Sequence, residues 1–265
     1  MGGRRRGGLV FRGMTYGYRS PGSCMWPTDV PLEATDYLLE AWVGDRASAT
    51  DAAFRFRVTT PEALLVRRER GRPFSMPGLG LLVARATVVV GKLSWDALDE
   101  YIGDVVGGTN LATVEEASPV LEQYFVSEWD DYNGGPPSVD SRGRPHVRLV
   151  NCLADSGQKL RTLYAVEEDV ADYLLHLATI HGASGREQRL VVRVATPKAL
   201  RRSADGLGAA PVAHHATLVV ESFDWRAVGG LLRQLVESCG VESFAQTRWR
   251  LRRYFSLAGA DSSRG

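Results

Sequence analysis

Lysine is almost missing from this chain. Of its 32 Lys and Arg residues only Lys92, Lys159 and Lys198 are lysines, a bias that coding composition explains more simply than function does. Cysteine is scarce as well. Cys24, Cys152 and Cys239 make an odd number at spacings that suit neither a disulfide framework nor a zinc site, which favours a reducing cytoplasm. No apolar run approaches the ~18 residues that a membrane span needs. Arg4-Arg5-Arg6 would suit the start of a leader, but Phe11-Arg12-Gly13-Met14 stands where an apolar stretch would be required, so no secretory signal is expected. A G-x-S-x-G elbow, a Walker loop and a dinucleotide-binding glycine fingerprint are all lacking, and no cofactor is expected. What remains is an ordinary globular composition, 44% hydrophobic and 24% charged over 265 residues, enough for one or two domains that each bury a core.

What the chain does have is a repeat of itself. Asp36-Tyr37-Leu38-Leu39 recurs as Asp172-Tyr173-Leu174-Leu175, and Arg57-Val58-Thr59-Thr60-Pro61-Glu62-Ala63-Leu64 recurs as Arg193-Val194-Ala195-Thr196-Pro197-Lys198-Ala199-Leu200, both at an offset of 136. Further on, Ala86-Thr87, Trp95 and Tyr124-Phe125 recur as Ala216-Thr217, Trp225 and Tyr254-Phe255 at an offset of 130. A period of this size is far too long for a solenoid and is about one domain. The chain therefore reads as two tandem copies, 9–132 and 146–262, with a disordered tail over 1–8 and a Gly/Pro-rich linker over 133–145.

The pattern within one copy is α+β. Tyr37, Leu39, Ala41 and Val43 share one face of a strand by period-two spacing, and Phe54, Phe56 and Val58 do the same, with Arg55 and Arg57 pointing out. Leu190, Val192 and Val194 repeat that inward set. Earlier strands are predicted over 9–18 and from Val147 to Leu153, and a later Val-rich one over 81–92, all in an antiparallel-looking run. Thr60-Pro61 and Thr196-Pro197 each supply an N-cap followed by proline at the first helical position. Ser94 caps a helix with Trp95, Leu98, Ile102 and Val105 on one face; Asp224 caps its twin with Trp225, Val228, Leu232 and Leu235. Thr113-x-x-Glu116 forms a capping box for the last helix, matched by Ser243-x-x-Gln246, while Pro119 could move the start to Ser118. The expected fold is a mainly antiparallel sheet packed against two to three helices, made twice.

Duplication also sorts the polar residues. His214 and His215 are neighbours on a strand, so they point to opposite faces and chelate one ion poorly; their counterparts are Ala84 and Arg85. His176 and His181 stand where the first copy has Glu40 and Asp45, which suggests surface polar positions. Neither Cys152 nor Cys239 has a cysteine counterpart or a base paired with it. The repeated residues are almost all apolar, capping or turn-forming, so neither a catalytic nor a metal centre is expected.

Net charge, +1 overall, divides unevenly: residues 9–132 hold 11 Lys/Arg against 18 Asp/Glu, and residues 145–265 hold 16 against 12. An acidic first copy suits a basic partner, although drift on two solvated surfaces gives the same count. Arg248, Arg250, Arg252 and Arg253 read as a solvated helix face, so nucleic acid is not expected. The acids of the first copy gather at its end as Glu115, Glu116, Glu122, Glu128, Asp130 and Asp131, with Trp129 and Tyr132 among them. Rings flanked by carboxylates suit a protein interface; Trp129 and Tyr132 would equally serve by folding back over the core.

The order of these features, met twice, resembles the immunity protein 8 family of bacterial polymorphic-toxin systems. The matching residues are the opening strand, Trp26-Pro27-Thr28-Asp29, Asp36-Tyr37-Leu38-Leu39, the Thr-Pro helix start, the Val-rich strand, Val236-Glu237-Ser238-Cys239-Gly240 and the closing Trp129-Asp130-Asp131-Tyr132. Copy one departs at Gly107-Gly108-Thr109, and copy two lacks the terminal aromatic-acidic motif. The resemblance implies a small cytoplasmic protein, not an enzyme, that binds and neutralises a cognate toxin domain, with the acidic end as partner site and no cofactor, metal or membrane. The alternatives are an enzyme with a small-molecule site between the copies, or a general scaffolding module.

Overall fold

The structure, a computed structural model, describes residues 8–16, 36–45, 51–69, 81–83, 86–127, 138–155, 167–205, 211–213 and 215–258. In the first copy these form β1 (Leu9–Tyr16), β2 (Asp36–Asp45), β3 (Asp51–Thr59), α1 (Pro61–Glu69), β4 (Leu81–Val83), β5 (Thr87–Val90), α2 (Trp95–Gly107), α3 (Val114–Leu121) and β6 (Val126–Ser127). The second copy gives β7 (Val147–Ala154), β8 (Glu167–Glu168), β9 (Asp172–His181), β10 (Glu187–Ala195), α4 (Pro197–Ala204), β11 (Pro211–Ala213), β12 (Thr217–Val220), β13 (Phe223–Asp224), α5 (Trp225–Ser238), α6 (Phe244–Leu251) and β14 (Ser256–Leu257). The tail 1–7, residues 128–137 and the Trp26-Pro27-Thr28-Asp29 stretch lie outside the described residues. Where the linker is described it is ordered: Val139 bridges Pro145, and Asp140 accepts from the amides of Arg142 and Arg144 at 2.8 and 2.9 Å.

The fold is α+β, but its sheets are mixed. One sheet runs β1-β2-β3-β5-β11 with β6 also on β3; another runs β4-β12-β10-β9-β7 with β14 also on β10. Most neighbours are antiparallel, as expected of a mainly antiparallel sheet, and each sheet adds one parallel pair, β3 with β5 and β10 with β12. A parallel pair needs a long crossover, and α1 and α4 occupy those crossovers.

The Val-rich strand expected over 81–92 is in fact two strands in two sheets. β4 pairs β12, while β5 pairs β3 and β11. Between β4 and β5 lies Ala86 at φ 49°, and Ala216 takes φ 56° at the equivalent place; alanine rarely adopts this left-handed region. The carbonyl of each alanine is held by the arginine amide of the neighbouring strand, Arg57 at 2.8 Å and Arg193 at 2.9 Å. Two compact units follow from this pairing. One holds residues 1–64, 86–131 and 203–214; the other holds 65–85, 132–202 and 215–265. Each unit thus contains one short strand contributed by the other sequence copy.

Both cores form where the alternation predicts them. In the first unit Tyr37, Leu39, Ala41, Val43, Phe54, Phe56 and Val58 are buried with Leu98, Ile102 and Val106 of α2 and Val114, Ala117 and Leu121 of α3. Val106, not Val105, is the buried member of the α2 stripe; Val105 and Trp95 are only half-buried. In the second unit Leu175, Leu177, Leu190, Val192 and Val194 pack with Trp225, Val228, Leu232 and Leu235. Ser94, Asp224 and Ser243 cap α2, α5 and α6 as the sequence indicates. Thr113 caps α3, so the helix does not start at Ser118, and Pro119 sits inside it. Gly240 follows α5 at a close approach: a methyl group there would lie 2.9 Å from both the amide nitrogen and Cγ1 of Val147, which accounts for glycine.

Candidate functional site

Three surfaces present side chains that packing alone does not require. The first is acidic and belongs to the first copy. On α2, Asp96, Asp99, Glu100 and Asp104 are exposed, and among the described residues none of these carboxylates has a cationic partner. Partial burial, and then repulsion from Asp96, raise the Asp99 carboxyl above its usual range. At the equivalent positions α5 carries Arg226, Gly229, Gly230 and Gln234, so this charge belongs to one copy only. Sequence reading missed α2, although its acids recur at three- and four-residue steps, the spacing of one helix face.

Of the acidic end singled out from sequence, Glu115, Glu116 and Glu122 are described; Glu128, Trp129, Asp130, Asp131 and Tyr132 lie outside the described residues. Glu115 and Glu116 are exposed in the first turn of α3, where the helix dipole favours negative charge. Glu116 also has a structural task. Its Oε2 accepts from the Ala112 amide at 3.3 Å while its own amide donates to Thr113 Oγ1 at 3.3 Å. Glu122 is half-buried at the helix C-cap. Just beyond, Phe125 is fully buried and its ring meets Phe56 edge-on at 5.5 Å, and β6 pairs with β3. These contacts anchor the chain directly before Glu128.

A second surface is the outer face of each sheet. Leu38 and Leu174, equivalent in the duplication, are 46% and 41% exposed. Each stands beside an ion pair that is also duplicated: Arg57 with Asp36 at 2.6 Å, and Arg193 with Asp172 at 2.6 Å. Hydrogen bonding to Asp172 raises the Arg193 guanidinium further above its ordinary value. Repetition thus keeps an exposed apolar residue beside the core, capping and turn-forming ones. Around Leu174, Asp155, Asp172, Tyr173 and Arg193 line a depression of about 340 Å³.

The third surface is basic and lies on the second copy, where α6 meets the start of β10. Arg186, Arg189, Arg248 and Phe244 line an open groove of about 430 Å³.

Histidines and thiols carry no such arrangement. His181 is buried, which corrects the surface assignment: its Nδ1 lies 3.0 Å from Ser184 Oγ and its Nε2 2.9 Å from the Val241 carbonyl. Its counterpart Asp45 is buried too. His176 is exposed and 3.2 Å from Asp155. His214 and Cys24 lie outside the described residues, and His215 is half-buried. Burial pushes the Cys152 thiol up to about 12, away from reactivity, and Cys239 is enclosed in the core. Among the described residues no three His, Cys, Asp or Glu side chains gather as a metal site, and no helix is long and apolar enough to cross a membrane. No protein-family model, curated protein or solved structure matches the chain.

Proposed function

We propose that the chain is a non-catalytic immunity protein, which binds and neutralises a basic bacterial toxin domain, such as a nuclease, in the cytoplasm. The observation that carries this reading is the acidic surface of the first copy, uncompensated among the described residues. Four carboxylates on α2 and two in the first turn of α3 face solvent without basic partners on α2, and self-repulsion is reflected at Asp99. A basic partner would relieve that repulsion and be steered towards it. Glu115, Glu116 and Glu122 add carboxylates on and beside α3, the sequence continues with Glu128, Asp130 and Asp131, and Trp129 and Tyr132 would supply the apolar anchors on which affinity depends. The exposed Leu38, kept in the second copy as Leu174, adds an apolar contact that folding does not demand.

Growth rescue tests the proposal. The toxin to use is the variable C-terminal domain of a large secreted protein encoded beside this gene. Co-expression of the full chain should restore growth of cells making that domain, and the two should co-purify. Failure of the full chain to bind or protect would discard immunity to that toxin, and a metabolic neighbourhood with no such gene would count against the family resemblance itself.

A further inference from the structure

A row of hydrogen-bond donors without acceptors marks the second copy. Arg186 and Arg189 flank the start of β10, and Arg248 projects from α6 across the groove described above. Among the described residues none of these guanidinium groups is paired with a carboxylate. The Gln188 amide nitrogen, in the same wall, is buried and has no acceptor among the described residues. Beside them Arg252 is disfavoured as a cation by burial and by repulsion from Arg248. A lone carboxylate at the rim, Glu187, leaves the surplus positive.

The neighbouring ring narrows the ligand. Phe244 is covered by the Arg186 guanidinium, 5.3 Å from its centroid, and meets His181 at 5.6 Å in a T-shaped contact. The ring is thus already engaged by Arg186 and His181, whereas single-stranded nucleic acid binders depend on open stacking platforms. Guanidinium forks match carboxylates with paired, charge-assisted hydrogen bonds. On this side β10 is paired by β14 only at Leu190 and Val191, and the Ala258 amide bonds the Arg189 carbonyl at 3.1 Å.

We propose that this groove binds an acidic peptide segment of a protein partner, with carboxylates on Arg186, Arg189 and Arg248. The site is independent of the acidic surface on the first copy and stands whether or not the toxin reading holds.

Fluorescence anisotropy with the full chain tests it. The probes are a labelled decapeptide of alternating Asp and Val, the same peptide with Lys for Asp, and an oligothymidylate of equal length. The acidic peptide should bind saturably and more weakly as salt rises, and the Lys peptide should not bind. The double variant Arg186→Ala/Arg248→Ala should weaken the acidic peptide at least about tenfold, an energy change of roughly 1.4 kcal/mol. Glu187→Gln, which removes the one carboxylate among the described lining residues, should tighten it. Absence of saturable binding, equal affinity in the double variant, weaker binding by Glu187→Gln, or tighter binding of the oligothymidylate would each overturn the proposal.

Discussion

Arg193 reaches from β10 to Asp172 on β9 with both Nε, at 2.8 Å, and Nη2, at 2.6 Å. Arg57 holds Asp36 in the same way from β3 to β2, at 2.6 and 3.4 Å. These bridges tie each central antiparallel pair beside the point where the parallel strand joins. A double-mutant cycle on Asp172→Asn and Arg193→Gln should give a coupling of about 0.5–1 kcal/mol, modest because both side chains remain partly exposed. Denaturant unfolding measures it, and a coupling of zero would show that the bridge orders the surface without stabilising it.

Trp225 fills the second core at 2% exposure, with Phe223 edge-on at 4.4 Å. Trp225→Ala should cost roughly 3–5 kcal/mol. Trp95, its half-buried counterpart, should cost clearly less. Equal losses in the two variants would contradict the difference in burial.

Strand exchange predicts how fragments behave. A chain ending at residue 132 keeps β5 but loses β11 from the edge of its sheet, and it keeps β4 without β12. Unpaired edges recruit other chains. Analytical ultracentrifugation of that fragment should show dimers or larger species, and a folded, monodisperse monomer would contradict the pairing.

Asp99 supplies a pH test. Its folded carboxyl is raised above the ordinary 3.8, so its charge opposes folding at neutral pH. That cost is full above the folded value, falls as pH drops through it, and is absent below the unfolded value. Asp99→Asn should therefore raise the melting temperature at pH 7, with a gain that shrinks on acidification. A gain that grew on acidification would reverse the sign of the argument.

Local signals were legible in the sequence and long-range ones were not. Caps at Thr60, Ser94, Thr113, Asp224 and Ser243 follow from neighbours within one turn, and the inward sets on β2, β3 and β10 follow from alternation. The break at Ala86 has no residue signature, because alanine is an unusual choice for positive φ. Nor does composition tell β4 that its partner is β12. His181 was misplaced because its acceptor, the Val241 carbonyl, comes from 60 residues further on. Of the acidic surface, Glu115 and Glu116 stand out as a run, whereas on α2 Asp96 and Asp104 are set apart from Asp99-Glu100 in the chain and join them only through the helical period.

Association kinetics test most directly the proposed landing of a basic toxin on the acidic surface. The full chain is compared with a variant carrying Asp96→Asn, Asp99→Asn, Glu100→Gln and Glu115→Gln, which spares Glu116 and its cap. Steering by surface charge is screened beyond a Debye length of about 8 Å at physiological ionic strength. The variant should bind the purified toxin domain with a slower association rate, a flatter dependence on salt and a dissociation rate little changed. An association rate and salt dependence equal to those of the natural chain would contradict the assignment of this surface.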